Sequence, residues 1–312
     1  MHESRKRTIR PAADRTKETH PSRHVNQTRG ALPFPGILKR DFGFHAAVSA
    51  LKSRPPPSLL SRVVDVASLI ATPLRPSHYL ELVNPLWTTH RLQARVEKVW
   101  DETRDSRTLT LRPGRNWRAH RAGQHVRLGV PIEGMQYTRT YSISSSPDRE
   151  DGCITLTVKA IEGGRMSHFL VRTLQAGAYL PLGLPQGDFV LPDATPVRPL
   201  FITAGSGVTP IMSMLRTYVL RENLPDTVHI HYAPHAYDVI FGNELRKIAE
   251  DHPRYRLAPV YTRELGEASA GSRHFSAAQL ESLCPDWRER DVWACGPQGL
   301  VDALERHFTE ET

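Results

Sequence analysis

The sequence is poor in cysteine: Cys153, Cys284 and Cys295 are the only three in 312 residues. Their spacing fits neither a disulfide scaffold nor a tetrahedral metal site. A Cys-x4-Cys-x2-Cys run is missing, which excludes a plant-type iron–sulfur cluster on these residues. No apolar run approaches the ~18 residues of a membrane-spanning helix. The first residues lack the apolar core of a secretory leader, and Glu3, Asp14 and Glu18 do not suit an acid-poor transit peptide, so a cytoplasmic protein is expected. Charge excess is also missing from most of the chain. Residues 1–54 hold twelve Lys or Arg and four Asp or Glu, which accounts for the whole formal net charge of +8. The basic character therefore describes a tail. Such a tail can attract acidic partners or anionic lipid, or be a solvated arm, and no nucleic-acid partner is expected.

Hydrophobic patterning divides the rest. Residues 1–30 show no apolar period and are expected to be disordered. Residues 31–90 form a helical extension. In it, Ser58 caps the stripe Leu59, Leu60, Val63, Val64, Ala67, Ile70, which packs on the body or makes a peripheral membrane contact through residues 1–75. A further short helix and turn are expected over residues 76–87. From residue 91 to 197 the period is two, with turns at Gly114, Gly123, Gly134 and Gly152, which suggests a small antiparallel barrel. From 198 to 312 strands and helices alternate, beginning with Leu200-Phe-Ile-Thr203 and ending with a helix over residues 297–308. Repeated β–α units imply a doubly wound parallel sheet.

Two segments of the barrel region carry chemistry. Arg139-Thr-Tyr141-Ser142-Ile-Ser144-Ser145 packs a cation, an aromatic ring and three hydroxyls into a strand-like run. A guanidinium suits a diphosphate, a tyrosine ring suits a flat heterocycle, and a serine hydroxyl can bond a ring nitrogen. About twenty residues on, Gly163-Gly164-Arg165-Met166-Ser167 opens an apolar-periodic run. There a helix N-terminus can present bare N–H groups to an anion. Either segment alone is compatible with an ordinary hairpin or turn; together they read as a dinucleotide site.

The second half holds a strand–turn–helix, Ala204-Gly205-Ser206-Gly207-Val208-Thr209-Pro210, at the position where α/β sheets meet phosphates. Cys295-Gly296-Pro297 ends a later strand. A lone cysteine is usually core packing, but this one stands at a strand's carboxyl end before Gly-Pro. Thr262-Arg263-Glu264 follows another strand, and Arg273 lies ten residues on. Arginine and hydroxyls there accept a ribose 2′-phosphate, whereas an acid would bind the free hydroxyl.

These motifs resemble those of the ferredoxin–NADP reductase superfamily. Arg139-x-Tyr141-Ser142-x-Ser144-Ser145 with Gly163-Gly164-x-Met166-Ser167 is similar to its FAD signature, and Ser145 in the last position implies FAD rather than FMN. Ala122-Gly123-Gln124-His125-Val126 resembles its Pro-Gly-Gln-aromatic strand start, with Ala122 and His125 as departures. The glycine turn and Cys295-Gly296-Pro297 resemble its pyrophosphate turn and nicotinamide strand, and Thr262-Arg263 its 2′-phosphate site.

The resemblance implies an all-β six-stranded antiparallel FAD-binding barrel followed by an α/β doubly wound NADP-binding domain. It implies an NADPH-dependent flavoprotein reductase, with NADH as the alternative coenzyme. Arg139 would hold the FAD diphosphate, helped by Ser167 and the backbone at Gly164. Tyr141 would stack on the flavin, Ser142 would bond near its N5, and Cys295 would flank the nicotinamide. Ser145, Val158, Lys159 and Met166 complete the implied FAD set, and Gly205, Gly207, Thr209, Thr262, Arg263 and Gly296 the coenzyme set. Tyr79-Leu-Glu-Leu and Asn84-Pro-Leu-Trp87 resemble a bacterial subgroup that serves fatty-acid desaturases through a fused cluster domain. No such domain follows Thr312, so the expected partners of this monomer are a separate 2Fe-2S ferredoxin and a terminal desaturase or oxygenase. A flavin oxidase or diaphorase, or an inactive flavin-binding remnant, are the other readings.

Overall fold

The computed structural model describes residues 5–9, 84–87, 91–192, 198–263 and 274–310. The helix expected from Ser58, most of the basic tail, Glu264 and Arg273 lie outside these residues.

β1 (Arg5–Ile9) joins the sheet of the second domain; the first domain consists of β2 (Gln93–Thr103), β3 (Ser106–Pro113), β4 (His125–Ile132), β5 (Met135–Ser142), β6 (Ile154–Lys159) and β7 (Tyr179–Pro181). Their alternation sends Ala94, Val96, Leu109, Leu128, Ile143 and Leu156 into one fully buried core. β4 and β5 form a hairpin whose turn residues Glu133 and Gly134 have φ of 50° and 77°, the left-handed pair that a tight two-residue turn demands. The expected six-stranded barrel is seen as a four-stranded sheet, β6-β3-β2-β7, and this hairpin. Single bridges join them, His125 to Gln186, Leu128 to Leu182 and Ile143 to Leu156.

The second domain strings β8 (Pro199–Ala204), β9 (Thr227–Ala233), β10 (Tyr255–Tyr261) and β11 (Asp291–Gly296) into a parallel sheet of order β11-β8-β9-β10. Helices α1 (Val208–Leu220) and α2 (Gly242–Asp251) pack Ile211, Leu215, Leu245 and Ile248 on one face. On the other, α3 (Ala277–Leu283) and α4 (Gln298–Glu310) pack Leu280, Leu304 and Phe308. This is the doubly wound arrangement that the sequence predicts.

One expectation needs correction. Arg5–Ile9, read as part of a disordered tail, form an extended strand antiparallel to β11, with Lys6 opposite Cys295. Without it β11 would be an edge with unpaired backbone groups, and an extended segment of almost any composition satisfies them.

Candidate functional site

β5 is the flavin-side strand of the sequence reading, and its outer face is largely open. Arg139 is exposed; its Nη1 donates to the carbonyl of neighbouring Thr138 at 2.8 Å, and no acid among the described residues pairs with it. Tyr141 is half-buried on the same side of the strand, and burial pushes its phenol up to about 12, so it stays neutral. Ser142, two residues before the buried Ser144, remains partly accessible.

The glycine turn lies against this strand, as the paired motifs require. Arg165 reaches across to the hydroxyl of Tyr137 at 3.0 Å and the carboxylate of Glu133 at 2.8 Å, both on the β4–β5 hairpin. Gly163 has φ of 69°, and a Cβ there would meet nothing within 4 Å, so its backbone faces open space. Gly164 has the opposite reason: a Cβ would stand 2.5 Å from Ser167 Oγ. Ser167 spends its hydroxyl on the turn, accepting from Ile161 N at 3.2 Å and donating to Gly164 O at 2.9 Å. Met166 and Val158 are core residues under the site, and Lys159 pairs with Asp105 at 3.3 Å. The helix expected after Gly164 is one α-turn, Arg165–His168, followed by the widened turn Phe169–Thr173. Leu174 N closes that turn on Phe169 O at 3.0 Å, a spacing of five residues that periodicity alone does not show.

On the second domain the coenzyme residues converge at the carboxyl ends of the strands. Gly205, with φ of 52° and no atom within 4 Å of a Cβ, leaves the turn open. Register sets Cys295 beside Thr203, so Cys295-Gly296 adjoins the Gly205–Gly207 turn. Cys295 itself is buried. Thr209 caps the turn from within, its hydroxyl donating to Ser206 O at 2.9 Å. Thr262 and Arg263 are fixed by their backbone N–H groups, which donate to Ala233 O at 2.8 Å and Pro234 O at 2.9 Å, leaving the Arg263 side chain exposed. The same loop after β9 carries a feature missed in the sequence. Tyr237, 74% exposed, stacks on His235 at 4.8 Å with 8° between the planes, and His235 Nδ1 is held by Asp238 at 2.8 Å.

Ser145 is placed differently from its sequence reading. It is fully buried, its Oγ accepts from Thr155 N at 3.1 Å, and its carbonyl accepts from Ser213 of α1 at 2.6 Å. It belongs to the seam between the domains. Behind the turn lies a second unforeseen group: the Thr203 hydroxyl sits 2.8 Å from His229 Nε2 and 2.7 Å from His231 Nδ1, with Tyr255 OH on His229 Nδ1 at 2.8 Å.

The residues fit a flavin and a pyridine nucleotide on three counts. Two glycine turns offer uncovered backbone at Gly163 and Gly205, a guanidinium with no acid partner among the described residues stands beside a half-buried neutral phenol, and a further exposed guanidinium, Arg263, follows the carboxyl end of β10. Residues 93–191 match the family model of the oxidoreductase FAD-binding domain, and residues 201–306 that of the oxidoreductase NAD-binding domain. The chain is 43% identical over 244 residues to an NADPH oxidoreductase of Mycobacterium tuberculosis, covering 77% of this chain and 62% of that protein. A glycine betaine monooxygenase reductase subunit of Chromohalobacter salexigens is 37% identical over 224 residues, 70% of this chain and 61% of its own length. Among solved structures, the Amycolatopsis cytochrome P450 reductase GcoB superposes with a TM-score of 0.61 at 30% identity, covering 71% of this chain and 66% of that one. The chain thus spans about three fifths of the curated relatives' length.

Proposed function

Because the chain belongs to the FAD- and NAD-binding oxidoreductases of the ferredoxin–NADP reductase type, we propose that it is an NADPH-dependent FAD reductase that delivers electrons to a separate 2Fe-2S carrier. FAD, when bound, supplies the conversion of a two-electron hydride transfer into single-electron steps. The chain's own residues bind and align. Arg139 faces the diphosphate with the open backbone of Gly163, and Tyr141 gives a flat neutral surface beside it. Ser142 offers a hydroxyl at the strand's end. Gly205–Gly207 receives the coenzyme pyrophosphate at the start of α1, and Cys295 lies behind it. Arg263 meets the 2′-phosphate, and the exposed ring of Tyr237 provides a stacking face for the adenine.

The observation that carries this reading is the convergence of both half-sites, each on its own domain, with one helix spanning between them. NADPH is favoured over NADH by Arg263 and by the name of the mycobacterial relative. An oxygenase is favoured over a desaturase as the final consumer, since two relatives are named as a monooxygenase reductase subunit and a cytochrome P450 reductase. Among the described residues no helix is long and apolar enough to cross a membrane.

Anaerobic addition of NADPH to the FAD-loaded protein tests the reading. The flavin's visible band should bleach rapidly, and a plant-type or bacterial 2Fe-2S ferredoxin should then be reduced. A flavin that stays oxidised under excess NADPH and NADH overturns it.

A further inference from the structure

Hydride transfer between two bound rings depends steeply on their separation, and misplacement by about 1 Å can cost roughly a hundredfold in rate. Here the two ring sites stand on different domains, so something must fix their distance. α1 starts at the Gly205–Gly207 turn and lays one face on the segment that leaves the flavin strand β5. Ser213 Oγ donates to Ser145 O at 2.6 Å, Thr217 Oγ1 to Ser146 Oγ at 3.0 Å, and Arg221 Nε to Asp148 at 2.7 Å. Arg216 sits at the centre of this face. Its Nη1 donates to Ser144 O at 2.7 Å, two residues beyond Ser142. Its Nε and Nη2 grip both carboxylate oxygens of Glu244 on α2, at 2.8 and 2.6 Å. Its guanidinium also lies 4.8 Å over the Phe241 ring.

Glu102 of β2 completes the cluster from the flavin side. Thr108 donates to its carboxylate at 2.6 Å, and the Arg216 charge acts on it across the seam, with Phe241 under that guanidinium. Phe241 reaches that position in a left-handed conformation, φ 61°, which a bulky residue adopts only where its surroundings hold it. One planar cation therefore joins the exit of β5, the coenzyme helix and the start of α2. The five donors of a guanidinium in a fixed fork make this possible; a lysine ammonium could not span the same partners.

We propose that Arg216 is a positioning residue for hydride transfer, setting the spacing between the flavin strand and the Gly205–Gly207 turn. The proposal rests on the reading above, that NADPH reduces a bound flavin. It predicts a kinetic signature that simple domain adhesion would not give.

The test compares full-length, FAD-loaded wild type with Arg216→Ala, Arg216→Lys and Glu244→Gln. The measurements are FAD and NADPH affinity, stopped-flow flavin reduction, its isotope effect with 4-deuterated NADPH, and reoxidation of dithionite-reduced protein by ferricyanide. Arg216→Ala should slow flavin reduction about tenfold or more and raise the isotope effect. Both affinities should change by no more than about twofold, and reoxidation should run at the wild-type rate, because neither depends on ring-to-ring spacing. Arg216→Lys should recover little of the rate. Glu244→Gln, which loosens one end of the grip at a partly exposed position, should show a smaller slowing of the same kind. Wild-type reduction rates in Arg216→Ala, with only thermal stability lowered, overturn the proposal. If Arg216→Ala does not retain FAD, an unchanged rate in Glu244→Gln overturns it. A wild type that NADPH does not bleach refutes the functional reading instead.

Discussion

Gly207 lies against the backbone of Cys295: a Cβ built on it would stand 2.1 Å from the Cys295 carbonyl oxygen and 2.8 Å from the Gly296 nitrogen. Both are main-chain atoms of a buried strand, so neither can swing aside. Gly207→Ala should therefore push the coenzyme turn away from β11 and lower stability by about 1–3 kcal/mol. FAD should stay bound, since the residues proposed to hold it lie on the other domain. Urea unfolding and NADPH-driven flavin bleaching would check this; an alanine variant with normal midpoint and normal bleaching would contradict the close approach.

Arg139 is the one β5 cation that faces outward without an acid among the described residues. Arg139→Ala should weaken FAD binding about ten- to a hundredfold, the worth of roughly 1.5–3 kcal/mol in charge-assisted hydrogen bonds. Flavin fluorescence titration of the apoprotein gives the number directly. Unchanged affinity would remove Arg139 from the diphosphate site.

Arg263 is the residue proposed to separate the coenzymes. Its backbone is fixed to Pro234 while its side chain is free to meet a ligand. Arg263→Ala should raise the KM for NADPH about tenfold or more and leave NADH turnover nearly unchanged, because only the 2′-phosphate loses a partner. Equal losses with both coenzymes would mean that Arg263 does not read the phosphate.

The buried histidines predict an acid limit to stability. Burial holds His229 well below its ordinary 6.5, with the neighbouring His231 adding to the effect. Burial takes His231 down to about 4, with a smaller push from Lys159. The unfolded chain binds protons near 6.5, while the folded chain refuses them. Stability is therefore full above 6.5 and falls as pH drops from there toward about 4, by about 1.4 kcal/mol per pH unit for each histidine. Urea midpoints at several pH values should show this slope, and His231→Asn, which cannot titrate, should flatten it. Identical slopes in the two proteins would assign the loss to other groups.

Local chemistry was legible in the sequence wherever it came as a contiguous cluster. Arg139, Tyr141 and Ser142 announced their strand, and the glycines at 163–164 and 205–207 announced two turns, open at Gly163 and Gly205 and tightly packed at Gly164 and Gly207. What stayed hidden depends on partners far apart in the chain. Ser144 and Ser145 looked like the end of a cofactor motif, yet their carbonyls meet Arg216 and Ser213 about seventy residues later. Arg216 is a single charge within an apolar helical run, and nothing near it in the sequence marks its partners. His229 and His231 alternate within β9, but nothing in that alternation reveals that Thr203 stands between their rings. The strand role of Arg5–Ile9 was invisible because an unpaired sheet edge, rather than the segment's own pattern, calls for it.

The parallel sheet has a consequence for how the protein is made. β11 takes its place beside β8, pairing residues 291–295 with 199–203. On the ribosome, β8 emerges long before that neighbour exists. The flavin half, whose strands pair mostly with near neighbours in sequence, can be complete while one side of β8 still lacks its partner. A chain arrested before residue 291 would expose a hydrophobic, hydrogen-bond-hungry flank, the kind of surface that chaperones shield and that seeds aggregation. Production of this protein is therefore vulnerable until residues 291–296 have emerged, well after the FAD-binding domain has been made.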